Sequence, residues 1–590
     1  MSLETFPNLV TMFFARTAAK RDAPFLWRKV DGAWQSISWT ETARQVAALA
    51  QALRSIGLKP GDRVMLVSEN RPEWCIADLG IMAAGCITVP TYVTNTERDH
   101  AHIVENSGAR AAIVSTAKLA RTLLPALARS SSCDTLVTME SVGLGRVGAM
   151  RIQLWDDLLA QQTPDIAACA AGATFARGDL ACIIYTSGTG GAPRGVRQHH
   201  GAILQNVAGC MAIIAEDFRI EEETFLSLLP LSHAYEHSGG QYLPIGVGGQ
   251  IYYAEGIDKL AANIEEVRPT IMIVVPRLFE LLRGRILKAV EKEGGIGKWL
   301  LDKALALGAR DRIGLADKPL DLLLGATIRP KIGKRFGGRM KALVSGGAPL
   351  NPEVGQFFQS LGLTILQGYG QTEAGPVISC NRPKAGIDHA TVGPPLAGTE
   401  VRIADDGEIL VRGECVMAGY WNNEAESARV LIDGWLHTGD IGVIDDRGRI
   451  RITDRKKDLI VNDKGENVAP QRIEGMLSLE PEIGQAMVVG DCRPHLVGLI
   501  EPDLQWMAEW AAANNVPLVE ARHAAALHRA LMAAVDRVNA GLSVTEKVRR
   551  ILVTDEPFSI ENGELTPSLK IRRHVIRERY GARLDALYKN

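Results

Sequence analysis

Residues 185–196, YTSGTGGAPRGV, form the segment whose residue types best suit a bound polyphosphate. Glycines let the chain turn its backbone N–H groups toward an anion, and the hydroxyls of Thr186, Ser187 and Thr189 add further donors. Arg194 contributes a fixed positive charge. The segment follows an apolar run that predicts a β-strand, but it is not a Walker A loop, because no Gly-Lys pair followed by Ser or Thr closes it. Taken alone, its composition fits a surface loop equally well.

Five more motifs follow this loop along the chain, and each is weak evidence by itself. A charged run such as RKK is typical of a solvated face, and a lone lysine near a C-terminus is usually exposed. The five motifs are SGGAPL at 345–350, QGYGQTE at 367–373, WLHTGD at 435–440, DRKKD at 454–458 and LTPSLK at 565–570. Together with the loop, they resemble the core motifs of the adenylate-forming superfamily of acyl-CoA synthetases, adenylation domains and luciferases. The resemblance runs from about residue 10 to about residue 575.

The resemblance implies that the chain binds ATP with Mg²⁺, and it assigns roles to individual residues. Tyr369 matches the aromatic residue that packs on adenine, Thr372 contacts phosphate, and Glu373 is the magnesium ligand, which suits a carboxylate beside phosphate oxygens. Asp440 matches the aspartate that accepts hydrogen bonds from both ribose hydroxyls. SGGAPL is expected near the base and the acyl pocket. The other residues implied at the nucleotide are Thr186, Ser187, Gly188, Thr189, Arg194, Gly346, Gly347, Ala348, Pro349, Gln367, Gly368 and Gly370.

The same resemblance implies a mobile C-terminal domain that serves two half-reactions. Lys570 matches the near-terminal lysine whose ammonium group bridges the attacking carboxylate and the α-phosphate during adenylation. Arg455 matches an arginine that contacts the nucleotide, and Lys457 matches the hinge between the domains. Once the hinge has moved, the loop around Gly465 is expected to line the CoA tunnel. His233 matches a histidine beside the acyl and adenylate site and is expected to be catalytic.

The phosphate loop departs from the superfamily pattern at two positions. Gly190 stands where a second threonine is usual, and Arg194 stands where lysine is usual. The positive charge is retained, but one hydroxyl is lost and arginine prefers bidentate contacts. The expected consequence is a change in nucleotide affinity or turnover.

The pattern of apolar residues predicts the elements that must hold these motifs. Short apolar runs alternate with helical stretches through the first two thirds of the chain, which indicates an α/β domain. From about Asp405, short strands with turn signals predict a small β-rich subdomain. A compact mixed segment after Lys457 predicts a small α+β domain. With the resemblance, we expect an acyl-CoA synthetase-like fold with a large N-terminal domain at 1–456 and a small mobile domain at 457–590.

Composition and charge exclude several classes of function. The 590 residues carry a formal net charge of −2, so no global basic field draws the protein to nucleic acid or to an anionic membrane. Nine scattered cysteines, without a CxxC pair or zinc spacing, are typical of reduced thiols in a cytoplasmic protein. The first residues do not resemble a secretory signal, and Asp78, Gly85 and Pro90 interrupt the most apolar run, so no spanning segment is expected.

Three functions stay open from the sequence. The favoured one is an AMP-forming acyl-CoA synthetase that uses ATP, Mg²⁺, CoA and a carboxylic acid. The alternatives are a ligase that loads a carrier protein, which the lack of a following carrier module disfavours, and a non-catalytic nucleotide- or acyl-binding homologue.

DRKKD and the segments at 229–237 and 276–286 look most like the long-chain fatty acid branch, although aromatic and medium-chain acids stay open. Such a substrate partitions into membranes, so peripheral association is a further expectation, whereas the oligomeric state is not indicated.

Overall fold

A computed structural model of the protein describes residues 5–143, 146–148, 150–186, 193–310, 314–464, 466–566 and 570–589. A large N-terminal domain is followed by a smaller C-terminal domain. In the described ranges, no helix combines the length and the apolar character that a membrane span requires. Five residues discussed above lie outside the described residues: Ser187, Gly188, Thr189, Gly190 and Gly465.

Two mixed sheets, each with eight strands in the described residues, form the centre of the N-terminal domain. Their interior strands run parallel, and antiparallel strands close the edges. In spatial order the first sheet contains Val377–Cys380, Ile365–Gly370, Ala342–Ser345, Ile271–Val274, Thr224–Ser227, Gln250–Tyr253, Pro24–Val30 and Ala33–Ser38. The second contains Arg194–His199, Leu180–Thr186, Ile87–Thr91, Arg63–Val67, Ala111–Val114, Thr135–Thr138, Met150–Leu154 and Arg146–Val147.

Interior strands such as Thr224–Ser227 and Ile271–Val274 are buried at every residue, because helices cover both faces of the sheets. The helix Trp39–Ser55 begins where the side chain of Ser38 accepts a hydrogen bond from the N–H of Glu41. It buries an apolar stripe that includes Val46 and Leu53. The helices of this domain are Leu9–Lys20, Trp39–Ser55, Pro72–Ala83, Glu97–Ser107, Ala117–Arg129, Trp155–Ala160, Ile166–Ala171, His200–Asp217, Ala234–Glu236, Leu243–Val247, Leu260–Val267, Pro276–Glu293, Gly295–Gly308, Lys318–Ala326, Ile328–Arg335, Pro352–Ser360 and Glu424–Val430, with a π-helix at His237–Tyr242.

The predicted β-rich subdomain is present and is antiparallel. Its register pairs Asp440 with Arg455, which brings two predicted site residues side by side. The strands are Glu400–Ile403, Glu408–Arg412, Leu431–Ile432, Trp435–Ile444 and Ile450–Arg455.

The C-terminal domain has an apolar core of its own, which includes Ile473, Ile500 and Leu531. It touches the large domain where Lys288 Nζ donates a 3.0 Å hydrogen bond to Gln505 Oε1. Its strands are Ile460–Val461, Asn467–Val468, Ile483–Val489, Leu496–Pro502 and Val548–Val553, and its helices are Pro470–Leu477, Leu504–Ala513, Leu518–Ala521, Ala525–Asn539 and Arg573–Ala586.

Candidate functional site

A cavity of about 1790 Å³ lies between the N-terminal and C-terminal domains. Every predicted site residue in the described part of the chain lines it. These residues come from both large sheets, the β-rich subdomain and the C-terminal domain. They are Thr186, Arg194, His233, Gly346, Gly347, Ala348, Pro349, Gln367, Gly368, Tyr369, Gly370, Thr372, Glu373, Asp440, Arg455, Lys457 and Lys570.

Asp440 lies where the β-rich subdomain meets the first sheet. Its Oδ2 accepts a 2.7 Å hydrogen bond from the hydroxyl of Tyr369, and its Oδ1 lies 3.3 Å from Nε of Arg455. Burial raises the pKa of the Asp440 carboxyl group, while Arg455 and Tyr369 oppose this shift. A carboxylate held from two sides is a suitable acceptor for a vicinal diol such as the ribose hydroxyls.

Gly346 and Gly347 allow close approach to the wall of the cavity. A Cβ atom on Gly346 would lie 2.8 Å from the ring of Tyr235. Gly347 has a φ of 82°, in the left-handed region that favours glycine. A Cβ atom there would lie 3.8 Å from Cε of Lys570. The SGGAPL loop and the C-terminal lysine therefore meet in this structure.

Lys570 reaches the cavity from the C-terminal domain. Its backbone N–H donates a 3.0 Å hydrogen bond to Oγ1 of Thr566, and its carbonyl accepts a 2.8 Å bond from the N–H of Thr566. Burial and the charge of Arg455 lower the pKa of the Lys570 ammonium group to about 8, against an opposing effect of Asp440. The group is charged at neutral pH and is partly desolvated, which suits stabilisation of charge on a phosphoryl oxygen.

His233 is neutral in this site. Burial, with a smaller effect of Lys570, lowers the pKa of its imidazole to about 3. Its Nδ1 accepts a 3.2 Å hydrogen bond from the N–H of Tyr235, so Nε2 carries the proton. His233 can donate a hydrogen bond in the cavity, but it is not charged to act as a general acid near neutral pH.

Thr372 and Glu373 belong to the short 3₁₀ turn Thr372–Ala374. The N–H of Met417 donates a 2.9 Å hydrogen bond to the carbonyl of Glu373, which holds the backbone of the turn. The Glu373 carboxylate accepts a 2.8 Å hydrogen bond from the hydroxyl of Tyr420 through Oε1. No described residue hydrogen-bonds its Oε2, which can therefore contact a ligand.

The donor set around Glu373 fits Mg²⁺. In the part of the chain that the structure describes, no group of three or more His, Cys, Asp or Glu residues is placed to hold a metal ion. A site enclosed by protein ligands, as in structural zinc centres, is therefore not formed by these residues. Mg²⁺ is commonly held by one or two carboxylates, with phosphate oxygens and water completing the coordination.

Gln367 presents an unpaired acceptor beside the cavity. The residue is 7% exposed, and its Oε1 is buried without a hydrogen-bond partner among the described residues. Because buried polar groups are usually paired, this atom favours a ligand that brings a donor, such as the amino group of adenine.

An apolar arm extends the cavity along the helix His200–Asp217. Val207, Cys210 and Ile214 line it at helical spacing, and Phe218 follows at the end of the helix. The wall from Val207 to Ile214 is about 10 Å long at 1.5 Å per residue. Strands of the first sheet close the other side with Ile271, Ile273, Ala342, Val344 and Leu366. An apolar stretch of cavity wall of this kind suits a hydrocarbon chain.

Sequence reasoning missed Tyr420 and Glu426, which also line the cavity. Glu426 forms an ion pair with Arg194, and the guanidinium carbon of Arg194 lies 4.7 Å from the centroid of the Tyr420 ring. A half-buried arginine requires an acidic partner, so the existence of such a partner could have been predicted. No pattern in the sequence singles out Glu426 among the 68 acidic residues.

Two family models match the chain. The model described as AMP-binding enzyme matches residues 13–421, and the model described as AMP-binding enzyme C-terminal domain matches residues 457–590. Among curated proteins, the chain is 33% identical to the long-chain-fatty-acid–CoA ligase FadD15 of Mycobacterium tuberculosis, over 98% of this chain and 97% of that protein. It is 30% identical to the peroxisomal long chain acyl-CoA synthetase 7 of Arabidopsis thaliana, over 95% and 83%.

Solved structures of lower identity share the fold. The A domain of carboxylic acid reductase from Segniliparus rugosus, in complex with AMP and a co-purified carboxylic acid, has a TM-score of 0.77 at 20% identity, over 99% of this chain and 94% of that chain. A benzoate CoA ligase from Burkholderia xenovorans LB400 has a TM-score of 0.72 at 21% identity, over 97% and 100%. These likenesses confirm the predicted α/β fold with a large and a small domain. The family models cover most of the chain, and a curated relative with 33% sequence identity spans nearly all of it. The chain therefore belongs to the AMP-binding enzyme family.

Proposed function

We propose that the protein is an ATP-dependent, AMP-forming acyl-CoA synthetase that converts a long-chain fatty acid to its CoA thioester. One observation carries this proposal: Tyr369, Asp440, Arg455 and Lys570 line the same cavity as an apolar arm. The polar groups suit a nucleotide, and the arm suits an acyl chain. The relatives named as long-chain-fatty-acid–CoA ligase and long chain acyl-CoA synthetase support the same substrate class.

In the first half-reaction, a carboxylate oxygen of the acid attacks the α-phosphorus of ATP, and the bond from that phosphorus to pyrophosphate breaks. Two anions must approach each other, so the ammonium group of Lys570 offsets their repulsion. Arg194 and Thr372 contact the phosphates, and His233 orients the acid as a neutral N–H donor. Glu373 would hold Mg²⁺, which would supply positive charge to the phosphate oxygens.

In the second half-reaction, the sulfur of CoA attacks the acyl carbonyl carbon, AMP leaves with the bonding electrons, and the thiol proton passes to solvent. Lys570 lies in the cavity in this structure, which suits adenylation. We propose that it withdraws for thioester formation by rotation at Lys457, an exposed residue in the turn after strand Ile450–Arg455. The loop around Gly465 would then line the CoA tunnel. The proposed units are residues 1–456 and 457–590.

The test is a product assay with ATP, Mg²⁺ and a panel of carboxylic acids, with and without CoA. Pyrophosphate, AMP and acyl-CoA are measured together. We expect all three with long-chain acids when CoA is present. Pyrophosphate without acyl-CoA would instead favour loading of a carrier protein, and no pyrophosphate with any acid would favour a non-catalytic homologue.

We also propose peripheral association with an anionic membrane, where a long-chain acid partitions. Residues 276–335 contain 14 Lys and Arg but 7 Asp and Glu, in a chain whose net charge is −2. Ile296, Trp299, Leu315 and Leu322 are exposed on the same segment, with Leu315 81% exposed. Basic residues interspersed with exposed aromatic and aliphatic side chains suit an anionic lipid surface.

Vesicle co-sedimentation tests this association. We expect binding to phosphatidylglycerol vesicles and weaker binding to phosphatidylcholine vesicles, and Trp299→Ser combined with Leu322→Ser should weaken it. Val519→Ser is a matched control, because Val519 is 86% exposed in the C-terminal domain. Equal binding to both vesicle types, or no effect of the double variant, would contradict the proposal.

A further inference from the structure

The side chain of Tyr420 contacts both Glu373 and Arg194, which line the polar end of the cavity. Its hydroxyl donates a 2.8 Å hydrogen bond to Oε1 of Glu373. The guanidinium carbon of Arg194 lies over its ring, 4.7 Å from the centroid. Tyr420 is buried, and all three residues line the cavity. One tyrosine therefore touches both the proposed metal ligand and the proposed phosphate-binding cation.

The backbone around Tyr420 is tied to the same two elements. The N–H of Trp421 donates a 2.7 Å hydrogen bond to the carbonyl of Gly195, next to Arg194. On the other side, the N–H of Met417 donates a 2.9 Å hydrogen bond to the carbonyl of Glu373. These bonds fix the ring relative to both the phosphate loop and the turn that carries Glu373.

Glu426 holds the guanidinium group of Arg194 in this arrangement. Its Oε1 pairs with Nη1 of Arg194 and lies 3.3 Å from Nη2 of Arg429. Both side chains of the Arg194–Glu426 pair are mostly shielded from solvent, with 24% and 19% exposed. A planar guanidinium group can lie over a ring while one of its N–H groups pairs with a carboxylate, an arrangement that its several fixed donors favour over the single ammonium of lysine. The geometry gives a physical reason for arginine where lysine is usual.

We propose that Tyr420 is a positioning residue for the reaction: its hydroxyl orients the Glu373 carboxylate, and Glu426 keeps Arg194 against its ring. This rests on the proposed function, in which Glu373 is the magnesium ligand. Mutation of a residue that hydrogen-bonds a metal ligand typically lowers metal affinity or activity by about 10- to 100-fold.

Tyr420→Phe removes the hydroxyl and keeps the ring under Arg194. We expect the Mg²⁺ concentration for half-maximal pyrophosphate release to rise about tenfold, with the KM for the fatty acid unchanged. Glu426→Gln keeps an acceptor for Arg194 but removes its charge, so the KM for ATP should rise while the Mg²⁺ requirement stays the same. Calorimetric titration of ATP at several Mg²⁺ concentrations supplies a readout that does not depend on turnover.

A matched control exists in the C-terminal domain. Arg493 lies 4.9 Å from the centroid of the Tyr588 ring and pairs with Asp585 at 2.8 Å, so Tyr588→Phe removes a hydroxyl from a similar arrangement. It should retain the wild-type Mg²⁺ requirement. An unchanged Mg²⁺ requirement in Tyr420→Phe, in both assays, would overturn the proposal.

The outcomes separate this proposal from the proposed function. If the wild-type protein releases no pyrophosphate, the proposed function fails, and the calorimetric comparison alone decides the role of Tyr420. If circular dichroism shows that Tyr420→Phe does not fold, Glu426→Gln decides: a raised KM for ATP supports the arrangement, and an unchanged KM overturns it.

Discussion

The charge states of a few buried side chains determine what chemistry the cavity can perform. Burial and the charge of Arg455 destabilise the charged form of Lys570 and lower the pKa of its ammonium group to about 8. His233 has lost the ability to carry charge in the same pH range. Lys570 is therefore a titratable cation in the cavity and His233 a neutral donor, which suits electrostatic stabilisation better than proton transfer by an acid and base pair.

The pH dependence of adenylation should report Lys570. The kcat/KM for ATP is expected to fall as the pH rises through about 8, since the pKa of this ammonium group is lowered to about 8 and only its protonated form is positive. Lys570→Arg retains a cation at high pH and should lose this decline. The measurement is the rate of pyrophosphate release across the pH range for both proteins. An identical decline of kcat/KM in the arginine variant would assign the titration to another group.

The two half-reactions should respond differently to Lys570→Ala. We expect adenylation to slow by about 100-fold or more, because a charge on the transition state loses its partner. Transfer from preformed acyl-AMP to CoA should change only slightly. Lys589→Ala removes an exposed lysine from the same domain and is the control. Equal losses in both half-reactions would contradict the assigned role.

At the scale of elements, the helix His200–Asp217 sets the shape of the apolar arm. Cys210 lines the arm, and burial raises the pKa of its thiol to about 12, so replacing it removes no reactive thiolate. Cys210→Phe should block the far part of the arm. The kcat/KM for the longest acids should fall at least about tenfold relative to shorter ones, with the KM for ATP unchanged. An unaltered chain-length profile would place the acyl chain elsewhere.

Much of the secondary structure could be predicted, because interior strands such as Arg63–Val67 and Ile271–Val274 are short apolar runs between turn residues. Their neighbours in the sheet could not be predicted. Ile271–Val274 pairs with Ala342–Ser345, about seventy residues away, through contacts that no local pattern encodes. Within the site, the motifs predicted residues that line one cavity, whereas Tyr420 could not be found because its contacts with Glu373 and Arg194 depend on tertiary packing.

For the whole molecule, we propose that the relation between the two domains decides which half-reaction is served. The contact between Lys288 and Gln505 lies away from the cavity motifs and joins the domains in the present arrangement. Its loss is expected to accompany any rotation that withdraws Lys570.

Cross-linking this contact should separate the two half-reactions. Cysteines introduced at 288 and 505, in a Cys492→Ser background that removes an exposed native thiol, can be joined by a short bis-maleimide. We expect the linked protein to retain adenylation and to lose about tenfold or more of its thioester formation. Each single cysteine variant, treated in the same way, is the control. Full thioester formation in the linked protein would show that this contact need not open.

The basic segment 276–335 also bears on how the molecule would be oriented at a negatively charged surface. With an excess of seven positive charges there and a total of −2, the rest of the chain carries −9, so the small net charge is the sum of a basic segment and an acidic remainder, which separates charge as in a dipole. Near a negatively charged interface such a dipole experiences a torque that turns its basic side to the surface. The helix Pro276–Glu293 belongs to that side, and its first turn lines the cavity through Pro276 and Arg277. Under the proposed membrane association, this part of the cavity wall would lie near the bilayer into which a long-chain acid partitions.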